Sequence, residues 1–133
     1  MYQHIVQYYE TDKMGITHHS NYIRWMEEAR IDFLLQIGWS YDRLEEEGIF
    51  SPVISVDSKY IQSTTFMNKV NIDVSVQEFK GVKLKLKYTM KNEDGKVVCE
   101  GHSEHCFLNK QGLPMRLHKE KPDFYQTLID LVD

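Results

Sequence analysis

Between Ser20 and Ile37 the apolar residues Tyr22, Trp25, Met26, Ala29 and Phe33 recur every three or four positions, the spacing that lays one broad stripe along an α-helix. Gly38 is a natural stop, and Ser40 to Glu47, closed by Gly48, predicts a short second helix. Beyond it the period changes. Val53 to Ile61, Val70 to Phe79, Val82 to Met90 and Val97 to Leu108 are β-rich or alternate in polarity, which predicts four strands, and Tyr2 to Tyr9 reads as a first strand ahead of the helix. Within Val82 to Met90, alternation turns Leu84, Leu86, Tyr88 and Met90 inward and Lys83, Lys85 and Lys87 outward. Asn92-Glu93-Asp94-Gly95 and Asn109-Lys110-Gln111-Gly112 are turn sequences, and Lys121-Pro122 ahead of Asp123 to Asp130 predicts a terminal helix with Pro at its first position. An apolar-striped helix must be covered. One strand, one long helix and four further strands therefore form an α+β plan in which an antiparallel sheet wraps the helix.

Length and composition add bounds. With 133 residues, 41% hydrophobic and 27% charged, the chain is expected to be a single domain, 1–133, with a real core and without repeat, linker or low-complexity tract. No apolar run approaches the roughly 20 residues that span a bilayer, and Met1-Tyr2-Gln3-His4 lacks a basic-then-apolar leader pattern, so a cytoplasmic protein with no membrane partner is expected. The formal net charge of -4 argues against nucleic acid as a partner. Cys99 and Cys106 fall on opposite faces of one predicted strand, which disfavours a disulfide. His102 and His105 are likewise turned apart, so these four side chains make a poor zinc site and no metal is expected.

The chemistry-bearing stretch is Tyr9-Glu10-Thr11-Asp12-Lys13-Met14-Gly15-Ile16-Thr17-His18-His19-Ser20-Asn21-Tyr22, where an acid, a glycine turn and a His pair run into the long helix. It places a carboxylate and an imidazole beside the amide donors and positive dipole end of a helix, a setting suited to polarising a carbonyl. Taken alone, Asp12 is equally at home accepting local backbone hydrogen bonds in a turn, His18 and His19 are ordinary loop residues, and Gly15 is a turn glycine.

The same residues carry a resemblance. An aromatic, then Thr-Asp-x-x-Gly, a hydrophobic residue, a His before a small-residue pair, Tyr, and Glu-x-Ala-Arg stand here as Tyr9, Thr11, Asp12, Gly15, Ile16, His19, Ser20, Asn21, Tyr22, Glu27, Ala29 and Arg30. This pattern resembles the hotdog-fold thioesterases of the 4-hydroxybenzoyl-CoA thioesterase type, including the short acyl-CoA thioester hydrolases. The resemblance implies a single hotdog domain and a hydrolase that cleaves acyl-CoA into a free acid and coenzyme A. Asp12 would act as nucleophile or general base, His19 would orient substrate or water, helix N-terminal amides would polarise the carbonyl, and Gly15, Ile16 and Tyr22 would contact substrate. It implies no cofactor beyond the coenzyme A of the substrate, and a homodimer or homotetramer with sites between protomers. Tyr22 and Trp25 also belong to the core stripe, and Glu27 is expected to pair with Arg30. The lysines between Lys80 and Lys91 are either a solvated, edge-protecting face or contacts for coenzyme A phosphates. Met14 and Thr17-His18 depart from the family pattern, which leaves the acyl group open. A hydratase or dehydratase of the same fold, and a non-catalytic acyl-CoA-binding protein, are the alternative readings.

Overall fold

The computed structural model describes residues 1–132. Its elements run β1 (Tyr2–Ile5), α1 (Ser20–Gln36), α2 (Tyr41–Glu46), β2 (Val53–Tyr60), β3 (Lys69–Phe79), β4 (Leu84–Lys91), β5 (Val97–His105), α3 (Leu117–Glu120) and α4 (Pro122–Asp130). The five strands form one antiparallel sheet in the order β1-β3-β4-β5-β2. This is the α+β plan that the hydrophobic pattern predicts.

The helical stripe does what its spacing requires. Tyr22, Trp25, Met26 and Ala29 are buried, in one core with Leu34 of the same helix and with Ile72, Leu86, Tyr88, Met90 and Val98 of the sheet, while Phe33, the last residue of the predicted stripe, is partly buried and packs against that core. Burying an aliphatic side chain of this size stabilises the fold by roughly 1.5–3 kcal/mol. The helix comes close to the sheet at Gly101 of β5, where a side chain would press on Met26 and on the Asp57 carbonyl of β2. On β4 the predicted inward residues Leu84, Leu86, Tyr88 and Met90 are buried; of the predicted outward lysines, Lys83, just before the strand, and Lys87 are exposed and Lys85 is half-buried. Ser40 caps α2 by accepting from the Arg43 N–H at 3.3 Å, and the Arg43 guanidinium lies 3.5 Å over the Trp39 ring.

Several boundaries differ from expectation. The first strand ends at Ile5, not Tyr9, because Tyr8–Glu10 turns into a short 3-10 segment that buries Glu10. Cys106 lies just beyond β5 rather than within it, and both cysteines are free thiols. The short α3 has no counterpart in the sequence reading. His102 and His105 do face apart: His102 Nδ1 meets Asp57 Oδ1 at 3.0 Å on the outer face, while His105 is buried. Glu27 and Arg30 approach at 3.8 Å. Among the described residues no helix is long and apolar enough to cross a membrane.

Strand β2 is unusual. It is an edge strand whose Val53, Ile54, Val56 and Tyr60 are 41–52% exposed. Unpaired main-chain groups flanked by exposed apolar side chains make a template for a further strand.

Candidate active site

The segment between β1 and α1 is held from both ends. Asp12 N–H donates to Ile16 O at 2.8 Å and Gly15 N–H to Asp12 O at 2.9 Å, closing a tight turn that needs Gly15 at φ +81°. Asp12 Oδ1 accepts the Met14 N–H at 2.8 Å; its other oxygen has no hydrogen-bond partner among the described residues. Asp12 thus makes the local bond that its turn position predicts and keeps one carboxylate oxygen available.

Glu10 anchors this turn to the core. Its carboxylate accepts from Gln7 N–H and Trp25 Nε1 and meets His4 Nε2, each at 2.8 Å, and its main-chain oxygen accepts from His18 N–H at 2.8 Å and Asn21 Nδ2 at 3.0 Å. Burial pushes the Glu10 carboxyl up, but the Gln7, His4 and Trp25 contacts outweigh it and hold the group below its ordinary range. His4 continues the network through Nδ1 to Glu28 at 3.0 Å, where Tyr2 also donates at 2.7 Å. On the other side, Thr17 N–H donates to Thr64 O at 2.9 Å, the Thr17 and Thr64 hydroxyls meet at 2.6 Å, and Tyr22 OH reaches Thr64 Oγ1 at 3.0 Å. Burial raises the Tyr22 pKa, so it remains a phenol.

The structure sorts the predicted residues into two adjoining clefts. Ile16, His19 and Tyr22 line one of about 240 Å³, together with Tyr60 and Ile61. Asp12 lines a larger, open one of about 890 Å³ with Tyr8, Tyr9, Lys13, His18 and Arg24. His18, read from sequence as an ordinary loop residue, therefore shares the carboxylate's cleft, while His19 faces the other and stacks on His18 at 4.3 Å. Gly15 lines neither cleft and serves the turn. Tyr60 is the residue that the sequence reading did not assign. Its OH donates to His19 O at 3.2 Å, a contact between residues 41 positions apart that no local pattern signals.

The amide donors also differ from expectation. The N–H groups of Ser20, Asn21 and Tyr22 are occupied by His18 Nδ1 at 3.3 Å, His18 O at 3.0 Å and His19 O at 3.3 Å, because the helix opens with tight i→i+3 bonding. Between Asp12 and Ser20 the N–H groups of Lys13, Ile16 and His19 have no acceptor among the described residues, the last two being those nearer the helix. Those two line the small cleft.

Residues 6–127, which contain the turn, both clefts and strands β2 to β5, match the family model described as the thioesterase-like superfamily. The chain belongs to that superfamily. A crystal structure of a DHNA-CoA thioesterase from Staphylococcus aureus superposes with a TM-score of 0.91 at 32% identity, covering 97% of this chain and 87% of that one. The Bacillus subtilis protein YneP, provisionally named an acyl-CoA thioesterase, is 29% identical over 90% of this chain and 88% of its own. A 1,4-dihydroxy-2-naphthoyl-CoA hydrolase of Thermosynechococcus vestitus is 25% identical over 92% and 82%. The hotdog arrangement of sheet and central helix is thus a property of the superfamily that this chain shares.

Elsewhere in this thioesterase-like fold lies a second buried polar chain, Tyr88 OH to Ser103 Oγ at 2.7 Å, Ser103 Oγ to His105 Nε2 at 2.8 Å, and His105 Nδ1 to Ser51 O at 3.4 Å. Burial, with the nearby Arg30 charge, pushes His105 from 6.5 down to about 4. Its sign is fixed by linkage: between pH 6.5 and 4 the unfolded chain takes a proton that the folded chain refuses, so stability falls as pH falls through that window. At about 1.4 kcal/mol per pH unit the loss reaches roughly 3 kcal/mol, and Glu10, held low in the fold, adds to it once the medium is acidic enough to protonate it. Urea midpoints measured from pH 7 to pH 4 should decline accordingly, and His105→Gln should flatten the upper part of that slope.

Proposed function

We propose that the protein hydrolyses acyl-CoA thioesters to a carboxylic acid and coenzyme A, with Asp12 as nucleophile or general base. The observation that carries this reading is a carboxylate with one unpartnered oxygen on the turn that divides two clefts, in a chain of the thioesterase-like superfamily. Either Asp12 Oδ2 attacks the thioester carbon, or it takes a proton from a water that does. The carbonyl oxygen gains negative charge as the new C–O bond forms. The N–H groups of Ile16 and His19 are the donors proposed to meet it, each worth roughly 3 to 4 kcal/mol if preorganised. Collapse then breaks the C–S bond, giving the free acid directly when water attacked, or an acyl–Asp12 anhydride that a water must then hydrolyse when Asp12 did. A thiolate leaves without a strong general acid, since thiols ionise at about pH 8.5. No metal or organic cofactor is required, and the coenzyme A is part of the substrate.

The homo-oligomer belongs to the same proposal. A second copy pairing through β2 in a two-fold antiparallel contact would satisfy the open strand edge and cover the Tyr60 side of the small cleft.

The test is a thiol-release screen over acyl-CoA esters with short, branched and aromatic acyl groups. Free thiol supports hydrolysis. An altered acyl chain with its thioester intact points to the hydratase or dehydratase reading, and binding without turnover to the non-catalytic one. In a single turnover in ¹⁸O-water, an unlabelled product with a labelled Asp12 establishes nucleophilic attack followed by water opening the acyl–Asp12 anhydride at the Asp12 carbonyl, whereas label in the product is the outcome of general-base catalysis or of opening at the acyl carbon. His19→Ala removes the imidazole and keeps the His19 N–H, so a loss of about tenfold in kcat is expected. An unchanged rate would make that imidazole a bystander.

A further inference from the structure

We infer that Asn21 is a second catalytic residue of the hydrolysis, its side-chain oxygen and the free oxygen of Asp12 together holding the water that attacks the thioester. This rests on the hydrolase reading above and commits Asp12 to the general-base role. Asn21 stands in the first turn of α1 and is only 7% exposed, the one buried residue among those that line the large cleft with Asp12.

Its amide nitrogen is fully used. Nδ2 donates to Glu10 O at 3.0 Å and to His18 O at 3.3 Å, which spends both of its N–H bonds. Because both partners are carbonyls, the end that faces them is the nitrogen and the opposite end is the oxygen. Those carbonyls are the two feet of the Asp12 turn, one placed two residues before Asp12 and the other one residue before His19. Asn21 is thereby locked to the segment that carries the carboxylate.

The amide oxygen is unused. Asn21 Oδ1 has no donor among the described residues, although a buried oxygen left without one is costly. Among the described residues no fully enclosed side-chain oxygen or nitrogen lacks a partner, so this oxygen reaches the cleft surface. Asp12 offers the same in the same cleft, with one oxygen bound to the Met14 N–H and the other free. The other polar groups there do not take this place: Lys13 and Arg24 only donate, and Thr11 Oγ1 and Ser20 Oγ are engaged with Tyr8 O and His18 Nδ1.

Two acceptors are what an attacking water needs. A water bonded to Asp12 alone turns freely about that bond, whereas a second bond to Asn21 Oδ1 fixes both hydrogens and directs a lone pair away from the two oxygens. That lone pair forms the C–O bond to the thioester carbon while Asp12 Oδ2 takes one proton and the other stays on the new hydroxyl, bonded to Asn21. The carbonyl π pair moves onto its oxygen, toward the Ile16 and His19 N–H groups. It returns as the C–S bond breaks, the sulfur leaves with the bonding pair, and Asp12 passes its proton to that sulfur. Water and thioester thus give acid and thiol, and Asp12 is restored.

The experiment compares Asn21→Ala with wild type on the acyl-CoA that wild type cleaves best and on the matching 2-oxoalkyl-CoA, whose methylene between sulfur and carbonyl prevents cleavage. The turn keeps its His18 N–H to Glu10 O bond at 2.8 Å and its Thr17 N–H to Thr64 O bond at 2.9 Å, so the variant loses the acceptor without releasing the turn. kcat should fall about a hundredfold while the dissociation constant of the analogue stays within about threefold. A purely structural Asn21 would let the main-chain donors drift and weaken the analogue along with the rate, so equal losses overturn the assignment, as does an unchanged kcat. A second measurement needs no variant: a crystal structure of wild type with the analogue should show a water within hydrogen-bond distance of both Asp12 Oδ2 and Asn21 Oδ1. Oxygens too far apart to share one, or a labelled Asp12 after turnover in ¹⁸O-water, overturn it too. Wild-type enzyme that releases no thiol from any ester would defeat the hydrolase reading itself, whereas intact hydrolysis with any of these failures defeats the Asn21 assignment alone.

Discussion

Asp12→Asn should lower kcat for thioester cleavage by about a thousandfold or more while leaving substrate affinity and melting temperature nearly unchanged. The reason lies in what the substitution keeps. Asparagine has the same size and still offers a side-chain oxygen to the Met14 N–H that Asp12 holds at 2.8 Å. It is as good a turn residue as aspartate, so a merely structural Asp12 would tolerate it. What disappears is the charge and basicity of the second oxygen, the group with no partner among the described residues. Asp12 is half-buried and enters no ion pair among the described residues, so its neutralisation leaves no buried partner uncompensated. Thiol release at substrate saturation, read beside circular-dichroism melting, separates these outcomes. Near-normal turnover in a folded variant sinks the mechanism.

The largest stability effect is expected far from that carboxylate. Gly101→Ala should destabilise the protein by about 3 kcal/mol, the upper end for forcing a methyl group into a packed site. An ideal Cβ at this position lies 2.5 Å from the Asp57 main-chain oxygen and also meets the Met26 side-chain terminus. Met26 is flexible and can swing away. The Asp57 carbonyl cannot move without shifting β2, which pairs with β5 through Ser58↔Gly101. Because β2 delivers Tyr60 to the His19 carbonyl at 3.2 Å, the small cleft should loosen together with the strand. The urea midpoint reports the loss, and Met26→Ala placed in the Gly101→Ala background should restore little of it. Wild-type stability in Gly101→Ala would mean that β2 does not rest on β5 this closely.

Much of this was legible in the chain because it depends on neighbours in sequence. The Tyr22, Trp25, Met26, Ala29 stripe is a matter of helical period, and α1 spans Ser20–Gln36 where the stripe runs. The β4 alternation and the glycine turn after Asp12 are equally local. The first strand was over-extended because Val6 to Tyr9 has strand-like residues, yet burial of Glu10 against His4 and Trp25 draws the chain into a turn. Both contacts join residues that a linear reading keeps apart. The amide donors moved for a related reason: whether an N–H is free depends on how the first helical turn closes, and here His18 and His19 supply the acceptors.

By itself the sequence determined an α+β chain with a striped helix under an antiparallel sheet, and a Thr-Asp-x-x-Gly turn leading into that helix. These follow from periods and turn chemistry that act over a few residues. Only the tertiary structure decided that Asp12 and His19 face different clefts, that Tyr60 lines one of them, and that Lys13 and Arg24 join Asp12 on the other. Those facts require β2 and the β1–α1 connection, some forty residues apart by the span from His19 to Tyr60, to meet in space, and no local propensity encodes that meeting.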